Sequence, residues 1–205
     1  MVNAEQVASK SLLLKWNQVE GANYYRIEVT PCCPRIESDS KIMVTQSWLE
    51  DLMPNTKYNL TVFAHNDVER SLGSNLNIKT ALPPPLYLRA ANGTVGHTYM
   101  NLEWERIIGA AKYQISVRTL NGEQVNSYSV DGNKTLVNIT GLTSNTAYIF
   151  KLNGVNDVGD GAENKFYTTT LIAPPMGLIV QADPDYPDRV LVSWQKRDGI
   201  MKYRY

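Results

Sequence analysis

The sequence predicts an all-β chain of tandem two-sheet sandwiches, two near-complete and a third truncated. Three observations carry that reading: a repeat of close to ninety residues, period-two alternation inside each repeat, and one seven-residue phrase written twice. Trp16, Trp104 and Trp194 are separated by 88 and 90 residues, and Tyr25, Tyr113 and Tyr203 each follow a tryptophan by nine. LMPNTKY (Leu52 to Tyr58) returns as LTSNTAY (Leu142 to Tyr148) after 90. Pro83-Pro84-Pro85 and Pro174-Pro175 mark the seams, where a residue with fixed φ and no N–H suits a junction. These marks set three units at residues 1–81, 82–171 and 172–205.

Within a unit the strands follow in order. The opening strand of the second unit carries Leu86 and Leu88, 18 and 16 residues before Trp104. The first unit has only 15 residues before Trp16, so most of its opening strand is expected to be missing. Next come Leu12, Leu14, Trp16 in the first unit, Met100, Leu102, Trp104 in the second and Val190, Val192, Trp194 in the third. A further run reads Tyr25, Ile27, Val29 and, matching it, Tyr113, Ile115, Val117. After the repeated phrase come Tyr58, Leu60, Val62, Ala64 and Tyr148, Phe150, Leu152. Alternation of this kind gives strands with one buried face, and no stretch carries a helical period. Residues 172–205 hold about three strands of a seven-strand sandwich, too few to bury a core. That piece is expected to be disordered or to borrow strands from a neighbour, and the chain reads as a fragment of a longer array.

In the repeated phrase a tyrosine opens a strand, with a leucine and a threonine at the preceding corner. This pattern reads as a tyrosine corner: the ring fills the core, the hydroxyl reaches back to a backbone group, and the leucine plugs the base of the sandwich. On Trp16, Tyr25 and Leu52/Pro54/Thr56/Tyr58, then Trp104, Tyr113 and Leu142/Thr146/Tyr148, each unit resembles a fibronectin type III domain, an immunoglobulin-like β-sandwich. Trp194 carries the core mark into the third unit. Ser144 stands where the family pattern has proline, which is expected to loosen that corner slightly. The resemblance implies non-catalytic protein-binding and spacer modules of an extracellular or cell-surface adhesion, matrix or receptor protein. An intracellular scaffold array and the accessory modules of a secreted carbohydrate-active enzyme are the alternatives.

Composition narrows the partners. Twenty basic and twenty acidic side chains cancel, leaving no electrostatic case for nucleic acid or an anionic membrane. No run of apolar residues is long enough to insert into a bilayer, and the start, MVNAEQVASKS, shows no signal peptide. The partners expected are a protein ligand or neighbouring domains of the same chain. His65 and His97 are the only histidines, and no nucleophile signature, phosphate loop or His-x-x-x-His pair occurs, so no catalytic residue and no cofactor is expected. Cys32 and Cys33 are the only cysteines and lie between Pro31 and Pro34. Three readings stay open for them: a vicinal disulfide, free thiols in a reducing compartment, or intermolecular bridges. A metal site is not expected, since zinc takes three or four ligands and His65 lies at the opposite pole of such a sandwich.

Four N-x-[ST] sequons begin at Asn59, Asn92, Asn133 and Asn138. Eighteen asparagines and 27 serines and threonines in 205 residues give about 2.4 by chance, so the number is only a mild excess. Alternation with Tyr58 and Leu60 turns Asn59 outward, and alternation with Val137 and Ile139 does the same for Asn138. The repeat offsets place Trp48 opposite Asn138 and Leu13 opposite Asn101; the resemblance implies that their two strands are neighbours, so the first unit is expected to expose Leu13 and Trp48 together as a contact patch. The bland alternative has Trp48 lying flat on its neighbours and binding nothing. Asn156 to Gly161 reads as a flexible acidic loop open to a basic partner or a cation, or as a solvated hairpin turn. Arg197-Asp198-Gly199 is not Arg-Gly-Asp and fits a turn of the third unit; no W-S-x-W-S signature occurs.

Overall fold

Period-two alternation requires paired strands, and the computed structural model consists of them: sixteen strands and no helix among the described residues, 1–31 and 40–196. Cys32 and Cys33, the Arg197-Asp198-Gly199 turn and Tyr203 lie outside the described residues.

The first unit contains β1 (Val2–Glu5), β2 (Leu12–Trp16), β3 (Tyr24–Thr30), β4 (Gln46–Leu49), β5 (Lys57–His65) and β6 (Ser74–Lys79). They make two antiparallel sheets, β1-β2-β4 and β3-β5-β6. Leu12, Leu14 and Trp16 from the first sheet meet Tyr25, Ile27, Tyr58, Leu60 and Val62 from the second. Each such side chain, when fully buried, contributes about 1.5–3 kcal/mol by leaving water. Trp16 stands edge-on to Tyr25 at 5.4 Å and 62°.

The second unit contains β7 (Arg89–Ala90), β8 (Met100–Glu103), β9 (Lys112–Thr119), β10 (Gln124–Asp131), β11 (Leu136–Ile139), β12 (Ala147–Asn156), β13 (Gly159–Asp160) and β14 (Asn164–Thr169). One sheet is β7-β8-β11; the other runs β10-β9-β12, with β13 and β14 both on the far side of β12. The core repeats that of the first unit, with Met100, Leu102 and Trp104 against Tyr113, Ile115, Val117, Tyr148, Phe150 and Leu152. Trp104 meets Tyr113 at 5.2 Å and 65°.

The repeated phrase is a clamp on one peptide. The Tyr58 hydroxyl accepts the N–H of Met53 at 2.8 Å, and the Tyr148 hydroxyl accepts that of Thr143 at 2.8 Å. Leu52 and Leu142 are buried beneath it. The Thr56 hydroxyl donates to the Pro54 carbonyl at 2.9 Å and Thr146 to that of Ser144 at 3.0 Å. The corner uses a backbone carbonyl, which Pro54 and Ser144 both supply. A second hydroxyl clamp was not foreseen: Tyr25 accepts the N–H of Val19 at 2.9 Å and Tyr113 that of Ile107 at 2.7 Å.

Two expectations are corrected. The opening strand of the first unit is present as β1, paired with β2 from Val2↔Trp16 to Glu5↔Leu13. Its partner lies fourteen residues away, whereas the register Arg89↔Glu103 puts Leu88 opposite Trp104, sixteen away. The shorter connection explains why a count taken from the second unit overstates the chain needed. The third unit pairs its own β15 (Met176–Ala182) with β16 (Val190–Gln195) instead of borrowing a strand. Trp194 is half-buried there and belongs to neither core, since this hairpin carries exposed apolar side chains on both faces.

Candidate functional site

Central strands bury both faces of their flanks, and edge strands do not. In the first unit β2 lies between β1 and β4, which leaves β4 at the edge. Leu13 and Trp48 are direct register partners across β2 and β4. Trp48 is 51% exposed, but Leu13 is only 8% exposed, which corrects the expectation of an exposed pair. Leu13 is flanked by Glu5 on one side and Trp48 on the other, while Trp48 has a neighbour on one side only. Trp48 is therefore the exposed member of the pair; Met43 and Val44, which precede β4, are exposed as well. In the second unit the matching pair is Asn101 and Asn138. Trp48→Ala is expected to leave the first unit folded and cost about 1 kcal/mol or less, the size of a cross-strand pair. The denaturant midpoint measures this, and collapse of the unit would make Trp48 part of the fold.

The four sequon asparagines are all exposed. Asn92 and Asn133 sit in turns; Asn59 lies on central strand β5 between Thr30 and Asn77, and Asn138 on edge strand β11. A side chain on an edge strand has open space along one flank, so Asn138 is the less crowded of the two strand sites.

The outer face of β3-β5-β6 gathers an aromatic and cationic cluster. Tyr24 and His65 are register partners with rings stacked at 4.9 Å and 7°. Lys41 Nζ lies 4.7 Å from the Tyr24 centroid, and the Arg70 guanidinium 4.3 Å from that of Phe63. Burial, then the charges of Arg26 and Arg70, hold His65 below the usual histidine range. His65 is thus a stacked ring whose neutral form is favoured by its burial and by the cationic side chains around it. Nothing in the sequence flagged this cluster, because only the pairing register brings residues 24, 63, 65 and 70 together.

The acidic loop of the second unit is exposed at its carboxylates but meets the first unit through one of them. Asn156 to Asp160 forms a tight turn between β12 and β13, and Asp157 pairs with Lys79 of the first unit at 3.2 Å. The Lys79 hydrogen bond and charge hold the Asp157 carboxyl below its ordinary range. At the same seam Asn55 of the repeated phrase bonds to Ile108 and Asn156. The sequence reading also passed over Thr80 and Thr170, buried polar residues 90 apart that tie each corner to its exit strand. Their common offset was the signal that could have found them.

The family model described as Fibronectin type III domain matches residues 1–77 and 83–170. The chain is 26% identical over 180 residues to the Collagen alpha-1(XII) chain of Oryctolagus cuniculus, covering 84% of this chain and 28% of that protein. It is 34% identical over 183 residues to Receptor-type tyrosine-protein phosphatase eta of Gallus gallus, covering 82% and 12%. With Tenascin of Mus musculus it shares 25% identity over 197 residues, covering 93% and 9%. The chain therefore spans less than a third of the length of each of these relatives.

Proposed function

The chain belongs to the fibronectin type III family, and from that premise we propose that its units act outside the cell as non-catalytic spacers and protein-contact modules of an adhesion, matrix or receptor protein. Work of this kind needs no reacting group. It needs rigid sandwiches that hold faces and loops at set spacing. The exposure of all four sequon asparagines supports the reading most directly, in a chain whose relatives include a collagen chain, a receptor-type phosphatase and a tenascin.

Within that role, the edge strand β4 of the first unit is the protein-contact face, with Trp48 as its anchor. A half-exposed tryptophan gives large contact area with few rotatable bonds, which is why such residues dominate interface energetics. Asn138 at the matching position of the second unit carries a glycan, so the two units divide contact and shielding between equivalent strands. Asn59, Asn92 and Asn133 are further glycan acceptors.

The test is the intact mass of the chain secreted from mammalian cells behind a foreign signal sequence, before and after deglycosylation. The same sample is alkylated before and after reduction to read Cys32 and Cys33. Mass lost on deglycosylation, with Asn138→Gln removing one glycan's share, is the expected result. A secreted chain with bare sequons and two free thiols would overturn the extracellular reading.

A further inference from the structure

We propose that Asn55 pins the first and second units into one body with a fixed angle, so that the pair acts as a single rigid body and not as two beads on a thread. Asn55 sits in the corner of the first unit with φ 52°. Its own N–H is held by the Ala81 carbonyl at 2.9 Å. Its side chain then reaches across the seam. Nδ2 donates to the Ile108 carbonyl at 3.2 Å, and Oδ1 accepts from Asn156 Nδ2 at 3.3 Å. One carboxamide thus engages both loops at the facing pole of the second unit, the β8–β9 connection and the β12–β13 turn.

Each partner is itself held in place. Asn156 Oδ1 accepts the Val158 N–H at 2.9 Å, which leaves its Nδ2 turned toward Asn55. Gly109 has φ +90°, and a Cβ there would lie 2.8 Å from Asn55 Nδ2, so the Asn55 carboxamide lies close against the Gly109 backbone. Lys79 and Asp157 add an ion pair at 3.2 Å beside this pin. Val158 closes an apolar groove against Val7, Tyr58 and Ile78 of the first unit.

The connection has no slack. Ala81 is tied to the first unit, its N–H donating to the Ala8 carbonyl at 3.1 Å and its carbonyl accepting from Asn55. The very next residue, Leu82, is fully buried in the second unit's core, and its carbonyl accepts from Ala162 at 3.0 Å. Asn164 Nδ2 donates to the Pro85 carbonyl at 2.7 Å and straps the proline run to the same unit. Consecutive residues therefore belong to different units, and bending would have to break contacts on one side or the other.

The chain supplies its own control. Asn145 occupies the same corner of the second unit, with φ 51° and its N–H held by the Leu171 carbonyl at 3.0 Å, but its side chain is exposed. The experiment is 15N relaxation of the full chain. In the unaltered protein, strand amides of residues 2–79 and 89–169 are expected to fit one rotational diffusion tensor. Asn55→Gly keeps the positive φ without strain and deletes the carboxamide; it is expected to abolish the common tensor. Asn145→Gly is expected to preserve it. Asn156→Asp keeps the acceptor for Val158 and removes the donor to Asn55, and it too should separate the units. It decides the matter should Asn55→Gly unfold the first unit. Independent tumbling in the unaltered chain, a common tensor surviving both seam variants, or equal loosening by Asn145→Gly would each overturn the pin. The proposal rests on the spacer reading only for its purpose. A free joint would leave the extracellular assignment standing, and bare sequons would leave the joint standing.

Discussion

Gly132→Ala is expected to unfold the second unit selectively, at a cost of about 3 kcal/mol or more, while the first unit stays folded. Gly132 is buried at the end of β10, where its N–H donates to the Ala111 carbonyl at 2.9 Å. A Cβ at this position would collide with the Ala110 carbonyl oxygen and stand 2.7 Å from its carbon and 2.8 Å from the Ala111 carbon. All three are backbone atoms, so no rotamer change relieves the collision. The strands must part where Asp131 pairs with Lys112, one residue from the fully buried Tyr113. A unit of this size has only about 5–15 kcal/mol of stability in total, so such a loss removes much of it. Amide exchange followed residue by residue reads the outcome. Protection should fall at Tyr113, Ile115 and Val117 and persist at Ile27 and Leu60. Unchanged protection in the second unit would mean that the strands part at no cost.

How far these features were legible depends on how local they are. Trp16 with Tyr25, and Trp104 with Tyr113, were readable because burial imposes a fixed spacing and the repeat prints that spacing twice. That Leu13 and Trp48 stand side by side was legible because the family resemblance makes their strands neighbours, and the register pairs the two directly. The burial of Leu13 did not follow, because it depends on what lies on either side of β2, and alternation along one strand is silent about its neighbours. The seam was less legible still. Asn55 is 53 residues from Ile108 and 101 from Asn156, and each of the three reads locally as an ordinary corner or turn residue. The acidic loop looked free for a related reason: Lys79, which neutralises Asp157, sits 78 residues away in another unit. Gly132 follows an aspartate, as turn glycines often do, but its φ is not left-handed, and its need is closeness of approach.

Thr80→Val is expected to cost the first unit about 2 kcal/mol and to loosen the seam, whereas Thr170→Val should cost the second unit as much and leave the seam alone. Each hydroxyl is buried and makes two short bonds, beside a longer contact to the Thr56 or Thr146 carbonyl. Thr80 Oγ1 accepts the Thr56 N–H at 3.0 Å and donates to the Met53 carbonyl at 2.7 Å. Thr170 Oγ1 accepts the Thr146 N–H at 3.0 Å and donates to the Thr143 carbonyl at 2.6 Å. Met53 and Thr143 are therefore gripped at both ends, since their N–H groups already donate to Tyr58 and Tyr148. Valine matches the shape of threonine and lacks the hydroxyl, so the substitution leaves a donor and an acceptor of the part-buried corner without this partner, which costs more than the bonds' net worth. The difference between the two sites lies in what the corner carries. In the first unit the clamped loop presents Asn55 to Ile108 and Asn156, so a slack corner withdraws the pin. In the second unit the same loop presents Asn145 to solvent. Denaturant midpoints measure the stability loss for each variant, and relaxation of the full chain measures the joint. Thr80→Ser keeps both bonds and should restore both readouts. A stability loss for Thr80→Val with an unaltered common tensor would separate the clamp from the joint and leave the corner a purely internal device.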